Sequence, residues 1–230
     1  MTRTIMAQEA AEAPTRIREQ LAANASRIAD IVSLIQQKQP RYVYMVGRGS
    51  SDHAGVFAKY LIEIEIGLPV AAAAPSIASV YNKQLDLTGA LVLVISQSGR
   101  SPDILAQVAM AKAAGALVVA LVNDETSPLA EQADQVIPLH VGAEKAVAAT
   151  KSYLATLSAL LQLVAAWSGN SQLQDAVIAL PEVLQRAIEL PAQLTAQSLQ
   201  GVEHLVVLGR GPGYAISREI ALKLKEVCGI

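Results

Sequence analysis

Cysteine is almost missing from this 230-residue chain; Cys228 stands alone, which excludes an internal disulfide framework. Histidine is nearly as scarce, and His53, His140 and His204 lie too far apart to supply the clustered spacing of a zinc site, so no metal is expected. Aromatic residues make up only 3% (1 Trp, 1 Phe, 6 Tyr), so the core must be built from Ala, Leu, Val and Ile, and a strongly aromatic β-sandwich is disfavoured. Charge is thin as well. With 18 basic against 20 acidic residues, a formal −2, the chain offers no electrostatic footprint for nucleic acid or an anionic membrane. The longest apolar run, 153–167 (YLATLSALLQLVAAW), is shorter than the ~20 residues of a membrane span and carries Thr, Ser and Gln. The opening MTRTIMAQEAAEAP has Glu9 and Glu12 where a signal peptide would be apolar, and a cytoplasmic protein is expected.

What is present is aliphatic: 52% of residues are hydrophobic, enough for a sizeable core. A helix is expected over 16–38, where Ile17, Leu21, Ile28, Ile31 and Leu34 approximate one face, with Pro14 suited to its first turn. Tyr42–Val46 (YVYMV) reads as a buried strand stopped by Gly47-Arg48-Gly49, and Ser50, Ser51 or Asp52 is placed to cap the helix that follows to Gly67. The pattern recurs as strand 91–95, a Ser/Gly loop, helix 102–114, strand 117–122 and strand 136–139. Apolar strands without alternation, separated by helices, predict a parallel sheet covered on both faces. Helices are expected over 151–168, over 172–190 with Pro181 near the middle, and over about 191–199; a strand at 205–208 and a helix at 214–227 close the chain.

One internal repeat stands out. Val43–Glu63 aligns with Leu205–Lys225, and Gly47-Arg48-Gly49 matches Gly209-Arg210-Gly211 at a constant offset of 162 residues. Any two strand–turn–helix units look somewhat alike, but the identical tripeptide favours duplication. Neither copy completes G-x-G-x-x-G, because Asp52 and Tyr214 stand at the third position, and no G-x-x-x-x-G-K-[ST] exists; a nucleotide cofactor is disfavoured and none is expected.

Four stretches carry chemistry. Ser50 and Ser51 at a helix start serve either as caps or as anion donors. Ser96-Gln97-Ser98-Gly99-Arg100-Ser101 lies where a parallel strand gives way to a helix, the edge at which such sheets bind ligands. Its hydroxyls, the Gln97 amide and free N–H groups suit a phosphate at a helix N-terminus. Ser101-Pro102 alone would suffice for capping, so the phosphate reading stands ahead. The segment 144–152 (EKAVAATKS) is either a close approach to a ligand or a capped helix start with solvated charges. Lys223 and Glu226, three apart on one helix face, would serve as ammonium and carboxylate base, or as a surface ion pair, which is the more frequent case at this spacing.

Taken in order, GRGSSDHA (47–54), SQSGRSPD (96–103), EKAVAATK (144–151) and ALKLKE (221–226) resemble the SIS (sugar isomerase) double-domain family. The likeness is to the isomerase half of glucosamine-6-phosphate synthase, and more so to stand-alone SIS-type glucosamine-6-phosphate deaminases. The resemblance implies a three-layer α/β fold, a parallel sheet flanked by helices, followed by the start of a second SIS domain. The expected division is a helical segment at 1–40, a first SIS domain at 41–168, a helical linker at 169–200 and an incomplete second SIS domain at 201–230. It also implies a sugar-phosphate ligand, a homodimer, and roles for particular residues. Ser96, Gln97, Ser98 and Ser101 would hold the phosphate with Ser51, while Ser50 would meet a sugar hydroxyl. Val147 would approach the sugar through its backbone, and Ala149 stands where the family has a serine. Glu226 would move the proton between C1 and C2, and Lys223 would assist at the hydroxyl. Glutamine-driven chemistry is excluded for this chain, since Thr2 stands where an N-terminal cysteine nucleophile would be. The family's ring-opening histidine and substrate lysine would follow Ile230, implying a protein of about 340 residues. A sugar-phosphate sensor without turnover is the alternative.

Overall fold

The computed structural model describes residues 3–191 and 194–230. Five strands form one all-parallel sheet in the order β2-β1-β3-β4-β5: β1 (Tyr42–Val46), β2 (Val70–Ala72), β3 (Ala90–Ile95), β4 (Leu117–Val122) and β5 (Gln135–Pro138). Strands β3 and β4 are buried along their whole length, as their unbroken apolar runs require. Alternate residues serve opposite faces. Val43, Met45, Leu91, Leu93, Ile95, Val119 and Leu121 join a core closed by α1 (Ile5–Lys38), α2 (Ser50–Glu65) and α6 (Lys151–Ser168). Tyr44, Val46, Val92, Val94, Val118, Ala120 and Val122 pack instead on α3 (Ser76–Ser79), α4 (Pro102–Ala113) and α5 (Pro128–Gln132). Burying each such Val, Leu or Ile contributes about 1.5–3 kcal/mol, and the aliphatic composition is spent here.

Helix α1 is locked to the sheet by amides. The Gln20 Nε2 donates to the carbonyls of Leu139 and Ala155 at 3.0 Å each, the Asn24 Nδ2 to Pro138 at 2.8 Å, and the Gln162 Nε2 of α6 to Leu21 at 2.8 Å. These bonds set the height of α1 against β5 and α6. Helix α7 (Ser171–Glu189) lies along α1 and α6, and α8 (Gly213–Cys228) packs on α2.

Several sequence expectations need correction. The first helix begins at Ile5, capped by the Thr4 hydroxyl accepting from the Ala7 amide at 3.2 Å, so Pro14 lies inside it. A helix-interior proline costs about 3 kcal/mol, and here Ala13, Pro14 and Ile17 are all buried against the core, which offsets that loss. Pro181 is likewise accommodated within one continuous α7. The helix expected over 191–199 is reduced to a single 3-10 turn at Gln197–Leu199, part of the expected span (192–193) lying outside the described residues. Leu205–Leu208 is not a strand: among the described residues no strand pairs with it, and Val206 and Leu208 remain 80% and 85% exposed. β2, α3 and α5 were not legible beforehand, being three to five residues long.

Candidate functional site

The strand order creates a switch point. From β1 the chain runs outward to β2 and then returns to β3 on the other side, so the loops leaving β1 and β3 diverge above their carboxyl ends. Open α/β sheets bind ligands in such a crevice. The loop after β1 is Gly47-Arg48-Gly49, leading to Ser50 and Ser51; the loop after β3 is Ser96–Ser101. Arg48 Nη1 donates to Asp103 Oδ2 at 2.9 Å and ties the first loop to the start of α4. Arg100 Nη2 donates to Asp124 Oδ2 at 2.8 Å and ties the second to the loop after β4. Hydrogen bonds from Thr126, then the Arg100 guanidinium, hold the Asp124 carboxyl below its ordinary value, so this strut stays ionised. Gly47 is required for close approach, because a Cβ there would lie 2.8 Å from the backbone carbonyl carbon of Ser51.

Within the β3 loop, the buried Ser96 accepts the Gly99 amide on its Oγ at 3.2 Å, and the Gln97 carbonyl accepts the Asn123 amide at 3.2 Å. These bonds shape the loop and leave Gln97 and Ser98 outward. Ser101 occupies the N-cap of α4 with Pro102 at N1, as read from the sequence, yet its hydroxyl makes no capping bond. At α2 the expected serine cap is replaced by Gly49, at φ 55°, again without a side-chain cap. Among the described residues no hydrogen bond engages the hydroxyls of Ser51, Ser98 or Ser101. Three hydroxyls without a hydrogen-bond partner among the described residues and two helix N-termini without a side-chain cap thus stand where β1 and β3 give way to α2 and α4, and donors of this kind suit an anion with several acceptor oxygens.

The 144–152 segment is a built loop. Glu144 Oε1 accepts the amides of Thr150 (2.6 Å) and Lys151 (2.9 Å) at the start of α6, and Oε2 accepts the Ser152 hydroxyl. Glu9, from α1, accepts the amides of Lys145 (2.6 Å) and Ala146 (3.1 Å). The bond from the Lys145 amide lowers the Glu9 pKa; burial raises it by less. Of the two readings left open for this segment, the one with solvated charges does not hold for Lys151, which is 3% exposed with its Nζ donating to Glu12 Oε2 at 2.7 Å. The loop so pinned presents Val147, fully exposed at 108%, and half-buried Ala149. Among the described residues no hydrogen bond joins Val147 or Ala149 to the serine loops.

Lys223 and Glu226 do form a pair, Nζ to Oε2 at 2.6 Å, with Glu226 46% exposed on its side chain. Sequence reasoning missed what lies beneath them. Glu219, 6% exposed, accepts the Ser50 hydroxyl on Oε1 at 2.8 Å and the Nδ1 proton of buried His53 on Oε2 at 2.8 Å, with Lys223 Nζ 3.5 Å from Oε1. Arg218 donates to Asp52 at 3.1 Å on the rim. Tyr153 donates to the Ala215 carbonyl at 3.3 Å; burial, then the Glu219 charge, push its phenol far above its ordinary value. The structure therefore brings Ser50 and Lys223 together through Glu219, while Ser51 and the Ser96–Ser101 loop follow the neighbouring strands β1 and β3 with no hydrogen bond between them among the described residues. The available signal was the Glu219, Lys223, Glu226 stripe at i, i+4 and i+7, which puts a charged row on one helix face.

Comparison with known proteins identifies the family of the fold. The SIS domain model matches residues 34–166, and the chain belongs to that family. A glutamine–fructose-6-phosphate aminotransferase of Zymomonas mobilis is 34% identical over 204 residues, covering 82% of this chain and 33% of that protein. A crystal structure of a candidate phosphosugar isomerase from Silicibacter pomeroyi superposes with a TM-score of 0.94 at 40% identity, covering 99% of this chain and 69% of that one. The C-terminal domain of glucosamine–fructose-6-phosphate aminotransferase from Francisella tularensis gives 0.79 at 25% identity, with coverage of 100% and 69%. The chain is thus a SIS unit of the sugar-phosphate isomerase type, homologous to the isomerase part of the aminotransferases, and spans about a third of the length of the curated relatives it matches. Among the described residues no helix is long and apolar enough to cross a membrane.

Proposed function

We propose that the crevice between β1 and β3 holds the phosphate of an amino-sugar phosphate, and that the complete gene product converts glucosamine 6-phosphate and water to fructose 6-phosphate and ammonia. The observation that supports this reading is the set of three hydroxyls, of Ser51, Ser98 and Ser101, that follow the adjacent strands β1 and β3 at the switch point, beside two helix N-termini without a side-chain cap. Ser96 shapes the loop and Gln97 adds an amide donor. Val147 and Ala149 would line the sugar side, with Ser50 accepting from a sugar hydroxyl while its own proton goes to Glu219. Glu226 takes the C2 proton of the open-chain sugar and returns it to C1; Lys223 donates to the neighbouring oxygen as charge develops there. The resulting C2 imine adds water and releases ammonia. Residues 201–230 are read as the opening of a second SIS unit, and the working molecule as a homodimer, which light scattering would measure.

Ammonia release from glucosamine 6-phosphate by the complete gene product tests the reading. Glu226→Gln should lower kcat by at least ~100-fold with little change in KM, since the general base contributes about 10²–10⁴-fold. Absence of turnover on any amino-sugar phosphate would refute the enzymatic reading. The half-exposed Glu226, ion-paired to Lys223, favours one second reading, a sugar-phosphate sensor; it requires thermal stabilisation by the ligand without turnover.

A further inference from the structure

The sheet has two edges, and side chains attend to both. At one, β5 is served by α1, whose Asn24 and Arg27 donate to the carbonyls of Pro138 (2.8 Å) and Val136 (3.4 Å). At the other, β2 pairs with β1 alone. Its bonds to β1 come from alternate residues: the Pro69 carbonyl accepts the Val43 amide at 2.9 Å, and the Ala73 amide donates to the Met45 carbonyl at 2.8 Å. By that alternation Val70 and Ala72 turn their N–H and C=O groups away from the sheet. An edge of this kind is a template for another strand.

Both outward groups of Val70 are nevertheless taken. Glu63 Oε1 accepts its amide at 3.0 Å and Lys59 Nζ donates to its carbonyl at 2.9 Å, while the two side chains also meet each other. An acceptor thus stands where a pairing strand would accept, and a donor where it would donate. Helix α2 itself gains little from the pair. Lys four residues before Glu is the less favourable order, and Glu63 in the last turn opposes the helix dipole. The side chains are 44% and 37% exposed, so the ion pair alone adds little stability. The Lys59 ammonium, then the Val70 amide, hold the Glu63 carboxyl below its ordinary value, which keeps the acceptor charged at neutral pH.

We propose that Lys59 and Glu63 mask the β2 edge by taking the place of a sixth strand at Val70, and that the partner they exclude is the same edge of a second copy. An edge paired with itself about a two-fold axis runs antiparallel, a geometry that needs no crossover connection. With the mask in place only Ala72 keeps free outward groups within β2; without it Val70 and Ala72 offer two successive rungs. The mask is independent of the sugar-phosphate reaction.

The test is Lys59→Ala/Glu63→Ala in the complete gene product, a change that leaves net charge unaltered. Light scattering over a dilution series should give this variant at least ~2-fold the mass of the unaltered protein at the highest concentration, with Tm within ~3 °C. Glu63→Gln, which keeps an acceptor and the lysine, should match the unaltered protein. Adding Ala72→Pro to the double variant removes an outward N–H and should restore the original mass. An unchanged mass for the double variant, or association that persists with Ala72→Pro, would overturn the masking role. So would a large loss of Tm without association, which would make the pair an anchor for β2. If circular dichroism shows that the proline variant is unfolded, hydrogen exchange of the double variant decides. The Val70 and Ala72 amides should slow on association, and unchanged exchange there would overturn the proposal.

Discussion

At the scale of the residue, the proposed phosphate crevice depends on a few positions whose importance is steric rather than chemical. Gly99 is the sharpest case. It sits at φ 64°, and a Cβ there would lie 2.2 Å from the Oγ and 2.6 Å from the Cβ of Ser127, a fully buried side chain that caps α5 by accepting the Ala130 amide. The Gly99 carbonyl also accepts the Leu129 amide at 3.1 Å, so the loop cannot simply move aside. Gly99→Ala should cost about 2–4 kcal/mol, from left-handed backbone strain plus overpacking, and should abolish the thermal shift given by phosphate. Denaturant unfolding with and without phosphate measures both. Ser98, one residue away, is exposed and should show only the second effect when changed to Ala. The serines were legible in the sequence because hydroxyl clusters after a strand are unusual. Glu219 was not, because its meaning comes from two side chains on α2 more than 160 residues earlier.

At the scale of the element, the loop before α6 is held by carboxylates from two sources, Glu144 within it and Glu9 on α1. Glu9 has a lowered pKa in the folded chain, caused first by the Lys145 amide. Its contribution is therefore complete above the ordinary value of 4.5 and is lost as pH falls through the lowered folded value. Glu9→Gln should lower Tm at neutral pH, and the gap to the unaltered protein should close in acid; a gap that widened in acid would contradict the sign. The same loop shows why helix limits were misjudged. Pro14 invites a helix start at the sequence level, but the turns before it are required to carry Glu9 and Glu12 to the loop, and burial of Ala13 and Ile17 keeps them helical. By contrast, β1, β4 and α6 were read to the residue, since each is an apolar run bounded by turn or capping residues.

At the scale of the whole molecule, stability is concentrated in the sheet and the helices on its two faces. Leu93 is fully buried in β3, whereas Val206 and Leu208 are mostly exposed beyond it. Leu93→Ala should cost about 2–5 kcal/mol, while Val206→Thr and Leu208→Thr should each stay within about 0.5 kcal/mol. Urea unfolding of the 230-residue chain distinguishes these outcomes, and comparable losses at both places would mean that 205–208 is packed in solution. The duplicated Gly-Arg-Gly makes the contrast plain: a similar local sequence precedes it in both copies, yet the first gives an interior strand of the sheet and the second is paired with no strand among the described residues.

By itself the sequence determined the fold class, the parallel order of strand and helix, the serine loop and the family, because each of these follows from local periodicity, capping chemistry and ordered motifs. Only the tertiary structure decided that β2 completes the edge, that α1 runs unbroken from Ile5, that Leu205–Leu208 is no strand, and that Ser50, His53 and Lys223 meet at Glu219. The reason is physical. A strand exists only where another backbone pairs with it, and a buried charge is tolerated only where distant partners satisfy it, so both depend on contacts that no local window of residues contains.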